Sequence, residues 1–223
     1  PRISNFTDIA PLEAVDELDV SYVSNISQFG DPDVVIIPGS KNTISDLLWM
    51  RQNGLEGKIL RHAAKGGIVF GICGGYQMLG QSISDPTGAE QKGTVRGMGL
   101  LPVTTVFEQE KRRTRVSGRF AKVGGALAEM SGVCYEGYEI HMGRTVLSKG
   151  TVPLVYMEEE GEQRQDGAQS DHVYGCYMHG IFDMSETVKT FLAAVLRKKG
   201  IDPSKITCVT ETHIKKEQYD RLA

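Results

Sequence analysis

The chain has 223 residues, 40% hydrophobic and 24% charged, with a net charge of −3. That length supports one sizeable core, and the near-neutral balance, with no basic field or acidic tail, argues against nucleic acid as a partner. No apolar run approaches the ~20 residues of a membrane-spanning helix, and PRISNFTDIAPLE at the start has no signal-peptide pattern. The four cysteines, Cys73, Cys134, Cys176 and Cys208, form no CxxC pair. They argue against a disulfide framework or a zinc site and point to a reducing cytoplasm.

In chain order, Leu18 to Ser24 alternates like a short strand, and Asp33 to Pro38 (DVVIIP) is a continuous apolar run suited to a strand buried on both faces. Thr43 to Lys65 reads as helical, divided at Asn53-Gly54. Gly67 to Ile72 is a second buried strand, and Gly75 to Leu79 opens a further helix. Strand, helix, strand, helix predicts a doubly wound, mostly parallel α/β sheet with flanking helices. Beyond Asp85, GLLPVTTVF, RRTRVSGRFAKV, YEGYEIHMGRTVL and PLVYMEEE predict an antiparallel β extension. Polar Glu158 to Ser170 reads as an exposed loop. Val173 to Phe182 returns to strand character, Ser185 to Lys199 is an amphipathic helix with Ser185 as N-cap, and Ser204 to Ala223 suggests a final helix. No GxxxxGK[ST] loop is present to hold ATP phosphates.

The chemistry concentrates at GIVFGICGGYQMLG, where Cys73 lies between glycines at a predicted strand-to-helix turn. Such an elbow exposes a nucleophile at a strand end, and the helix N-terminus favours the thiolate. The Gly74 N–H faces an oxyanion at the attacked carbon, and the Pro38-Gly39-Ser40-Lys41 turn offers further N–H groups. A buried structural cysteine beside a glycine turn is the competing reading. A thiol nucleophile needs a base. His62 and His213 read as solvated and His172 as a loop residue, which leaves His141 and His179, each ending a β-like run before glycine. For each of these two, a structural role weighs at least as much as catalysis on pattern alone. Arg112, Arg113 and Arg115 form a basic cluster on a strand.

Taken in order, IIPGSKNTISDL, GICGGYQMLG, GYEIHMGRT and YMHGIFD, with PRISNFTD and THIKKEQYDRLA at the ends, resemble the glutamine amidotransferase domain of the cobyric acid synthase family, a class I-like branch. The resemblance covers nearly all of residues 1–223, read as one domain of a longer enzyme whose N-terminal synthetase half is absent. It implies that Cys73 attacks the glutamine side-chain amide, that N–H groups near Gly39 and of Gly74 hold the oxyanion, and that His179 passes the proton to departing ammonia. Tyr76 and Gln77 are candidates for contacting glutamine. The ammonia would serve a synthetase site using ATP and magnesium, where carboxylates of a corrinoid acceptor, adenosylcobyrinic acid a,c-diamide, become amides; no cofactor or metal is expected in this domain itself. Most class I relatives place a glutamate two residues after the histidine, where this chain has Ile181. The expected site is therefore a Cys–His dyad, with Glu139, His141 or Asp183 as accessories. The competing acceptors are those of cobyrinic acid a,c-diamide synthase and cell-wall isoglutaminyl synthase. Two further readings compete with a synthase: a γ-glutamyl thiol hydrolase and a non-catalytic docking domain.

Overall fold

The computed structural model describes residues 5–159 and 162–205. Two sheets organise it. The first has the order β1-β2-β10-β9, from Val34–Ile37, Ile68–Ile72, Val173–Cys176 and Ala168–Ser170. β1, β2 and β10 are parallel, and β9 is an antiparallel edge. β2 lies between two parallel neighbours, which explains why every residue of IVFGI is apolar or glycine and why all five are buried. Helices α2 (Thr43–Gln52), α3 (Leu55–Ala64), α4 (Gly74–Leu79) and α5 (Ser185–Lys198) accompany the sheets. α2 and α3 part at Asn53-Gly54, where Gly54 adopts a left-handed φ of 77°. The short α1 (Ala10–Glu13) follows a 3₁₀ turn at Phe6–Asp8 and inserts Leu12 into the core with Ile9 and Val15.

The antiparallel extension is a sheet of six strands, larger than the parallel one. β3 (Ser82–Asp85) and β4 (Gly93–Arg96) form one flank. β5 (Val103–Phe120) runs through the middle and pairs with β6 (Cys134–Leu147), β7 (Val155–Glu159) and, in parallel, β3. β8 (Glu162–Asp166) closes the β7 side.

Four sequence expectations change. Leu18 to Ser24 pairs with no strand among the described residues; Leu18, Val20 and Val23 satisfy its alternation by packing partly against the core. Glu158 to Ser170 is not a loop: it carries the end of β7, β8 and β9. Its polarity belongs to an edge strand, where charged side chains are the rule. The N-cap of α5 falls on Met184 rather than Ser185. His62 is not solvated; it is 9% exposed, and its Nε2 lies 3.0 Å from the Ile68 carbonyl. The expected final helix, with His213 and Cys208, lies outside the described residues, as does the Arg112 side chain.

Candidate active site

Cys73 joins β2 to α4 and is one of only two non-glycine residues at positive φ among the described residues, with φ 52° and ψ −109°. An L-residue tolerates that conformation only where its surroundings enforce it. The enforcement is close packing of α4 on the strands. A Cβ at Gly71 would come within 2.7 Å of the Tyr76 nitrogen, and one at Gly75 would collide with the Ile37 carbonyl. A Cβ at Gly74 would lie 2.9 Å from the Ser40 nitrogen. The glycines therefore let the helix start press onto β1 and bring the turn after β1 against the elbow. The Ser40 hydroxyl organises that turn: it accepts from the Asn42 N–H and donates to Asp46. The Cys73 N–H donates to the Cys176 carbonyl at 2.9 Å, fixing the elbow to the end of β10.

Three residues beyond β10 lies His179, 4% exposed and close enough to Cys73 for the thiol to affect its ionisation. Its backbone forms a two-way bridge with Tyr138 of β6, and the two rings stack at 5.2 Å between centroids. Ile140 of the same strand places its carbonyl 3.5 Å from the Cys73 sulfur. Of the two candidate histidines, His179 is thus the one beside the thiol. His141 instead stacks on Tyr177 at 3.7 Å and places Nδ1 2.8 Å from the Gly143 carbonyl.

The acid that touches His179 is Asp8, a residue that sequence reasoning left without a role. Its Oδ2 is 2.7 Å from His179 Nδ1, and its Oδ1 accepts the Gly180 N–H at 2.9 Å. Asp8 and His179 are 171 residues apart, so spacing offered no clue; the only signal was the position of Asp8 inside PRISNFTD. Burial works against a charged His179, but the hydrogen bond to Asp8 and the neighbouring Cys73, with the charges of both, outweigh it and lift the group to about 10.

The accessory candidates lie elsewhere. Glu139 is fully buried and pairs with Arg164 at 2.5 Å, with His141 Nε2 at 3.7 Å. Burial opposes its charge, but the nearby His141 ring and the Arg164 guanidinium bring it down to about 2. Asp183 sits across the Gly180 turn, pushed up to about 6 by burial and then by the charge of Asp8. Ile181, in the place of the usual glutamate, is fully buried in the apolar core.

Gln77 is 2% exposed and donates to the Tyr177 hydroxyl at 3.1 Å. That hydroxyl meets Thr145 Oγ1 at 2.6 Å, which meets Thr105 Oγ1 at 2.8 Å, so a hydroxyl relay ties the elbow helix to the second sheet. Tyr76 is 1% exposed and packs edge-on against Tyr177. Gly39 is buried in the turn beside Gly74. Arg113 and Arg115 are exposed and register with Ile140 and Tyr138, the two β6 residues at the site. Among the described residues no group of His, Cys, Asp and Glu could hold a metal ion, and no helix is long and apolar enough to cross a membrane.

A cysteine on a strained elbow, a buried histidine beside it and the Gly39–Ser40 turn packed against it make a candidate site of the thiol-nucleophile type on an α/β frame. The chain belongs to the CobB/CobQ-like glutamine amidotransferase domain family, whose profile matches residues 1–187. Cobyric acid synthase of Ruminiclostridium cellulolyticum is 51% identical over 227 residues, covering 100% of this chain and 44% of that protein. Cobyric acid synthase of Lachnoclostridium phytofermentans is 42% identical over 233 residues, covering 100% of this chain and 45% of that protein. The chain therefore spans less than half the length of these curated relatives. Two solved structures share the fold: a glutamine amidotransferase (16% identity, TM-score 0.61, 89% of this chain and 96% of that one) and PurLQS from Thermotoga maritima (18%, 0.64, 89% and 95%).

Proposed function

We propose that this chain is the glutaminase part of a cobyric acid synthase, with Cys73 as nucleophile and His179 as general acid and base. The observation that carries the reading is the buried His179 beside Cys73 at a positive-φ elbow. The thiolate attacks the side-chain carbonyl carbon of glutamine. The oxyanion is received by the N–H of Gly74 and N–H groups of the Gly39–Ser40 turn. Imidazolium His179 then protonates the amide nitrogen, the C–N bond breaks, and ammonia leaves a γ-glutamyl thioester on Cys73.

The second half needs His179 as a base. Part of what raises His179 comes from the neighbouring Cys73, through its charge among other causes. Acylation removes the thiolate charge, so the imidazole becomes easier to deprotonate when a water must be activated. Water attacks the thioester, its proton passes to His179, and glutamate departs as the thiolate reforms.

Ammonia then serves an ATP- and magnesium-dependent synthetase domain of the same longer protein, which amidates carboxylates of adenosylcobyrinic acid a,c-diamide in the cytoplasm. Similarity to proteins named cobyric acid synthase across the whole chain favours this acceptor over those of the sibling amidotransferases. The test is intact-mass analysis of the full-length protein after exposure to 6-diazo-5-oxo-norleucine, with Cys73→Ala as control, followed by glutamine-dependent amidation of the corrinoid. A single adduct on Cys73 and amidation abolished in the variant are expected. Labelling at Cys134 or Cys176 instead would overturn the assignment.

A further inference from the structure

We infer that Asp8 is the positioning acid for His179, and that Asn5 and Tyr138 form a latch that holds Asp8 in place. The inference rests on the Cys73–His179 reading above. Its content is that the acid comes from the segment ahead of the first sheet strand and not from the strand end that carries the histidine.

Asp8 is 1% exposed, and each of its carboxylate oxygens is engaged at the histidine turn: Oδ2 by the His179 ring, Oδ1 by the Gly180 N–H. Fixing Nδ1–H toward Asp8 presents Nε2 to the thiol, which is the tautomer a base needs. Asn5 donates through Nδ2 both to Asp8 Oδ1 at 3.2 Å and to the Tyr138 hydroxyl. Its Oδ1 accepts the Thr7 N–H and so caps the 3₁₀ turn that carries Asp8. Tyr138 in turn stacks on His179. One tyrosine therefore holds the ring from its face and, through Asn5, holds the acid that orients the ring from its edge. Ile9, Leu12 and Val15 seat the same segment in the core. The ionisable groups facing His179 are Cys73, Asp8 and Tyr138, with Asp183 beyond Asp8. Burial, and after it the Asp8 charge, disfavour ionisation of Asp183.

The experiment uses the full-length protein with Asp8→Asn, Asp8→Glu and Tyr138→Phe, and Cys73→Ala as the activity control. Two quantities are read: glutaminase kcat and KM against pH, and the pH titration of the His179 ring by nitrogen NMR. Asp8→Asn is expected to lower kcat by roughly 10²-fold or more with little change in KM, and to move the His179 midpoint down by more than one pH unit. Asp8→Glu recovers part of both. Tyr138→Phe lowers kcat and the midpoint in the same direction by smaller amounts, and carries the test alone if Asp8→Asn does not fold. A His179 midpoint unmoved by Asp8→Asn, or by Tyr138→Phe where Asp8→Asn does not fold, overturns the inference. Glutaminase persisting in Cys73→Ala overturns the nucleophile assignment, while the ring titration still reads the Asp8 contact independently.

Discussion

Cys73 shows how much of a site can rest on missing side chains. Its positive φ is held because Gly71, Gly74 and Gly75 leave no Cβ between α4 and the strands beneath it. Gly75→Ala would drive a methyl group into the Ile37 carbonyl, which is backbone and cannot rotate away. The expected cost is about 1–3 kcal/mol or more, read by urea denaturation, with loss of Cys73 labelling by the glutamine analogue. Glu139 gives a pH-dependent counterpart. Its ordinary value near 4.5 is drawn down to about 2 in the folded protein, so its contribution to stability is present above about pH 4.5 and disappears as the pH falls through 2. Thermal melts of wild type and Glu139→Gln should therefore differ most near neutrality and converge toward pH 2. A constant difference would contradict the ion-paired carboxylate.

Elements differ in how openly the sequence declares them. DVVIIP and GIVFGI announce buried strands because both faces are covered, so every position must be apolar. The helix pair split at Asn53-Gly54 is equally plain, since only Asn53 and a left-handed Gly54 separate the two. β8 was hidden for the opposite reason: an edge strand needs few apolar residues, and EQRQD looks like a loop. At the site, Cys73 and Gly74 could be read from local pattern, and His179 from its place before a glycine. Asp8 could not, because no local rule links a 3₁₀ turn near the start to a histidine beyond the last strand. Another long-range device is Asp85, at the end of β3. Its carboxylate accepts the N–H groups of Gly88, Ala89, Glu90 and Gln91 at 2.7–2.9 Å and so shapes the loop that sends Glu90 to cap the Ile44 N–H of α2 at 3.0 Å. Asp85→Asn exchanges one acceptor oxygen for a donor. The Gly88–Gln91 amides should then exchange with solvent roughly 10-fold faster or more by mass spectrometry.

At the scale of the whole molecule the site belongs to both sheets. The first supplies Cys73 and, beyond β10, His179; the second supplies Tyr138 and the Ile140 carbonyl from β6. The relay Gln77–Tyr177–Thr145–Thr105 crosses the same junction. Tyr177→Phe would strip the partner from the buried Gln77 amide, at about 1–3 kcal/mol for the group left unsatisfied, while Thr145 keeps Thr105. If the relay holds the sheets in register, that variant should lower both the urea midpoint and the rate of Cys73 alkylation, whereas a purely local role would leave alkylation unchanged.

The parallel pairing of β2 with β10 also sets an order of events during synthesis. β2 and the thiol leave the ribosome before the strand that covers one edge of β2 and the imidazole just beyond it. Until β10 docks, the nascent protein carries an open sheet edge that invites wrong pairing. It also carries Cys73 without His179 beside it. A growing chain on this plan cannot bring Cys73 and His179 together before both sheets are nearly complete.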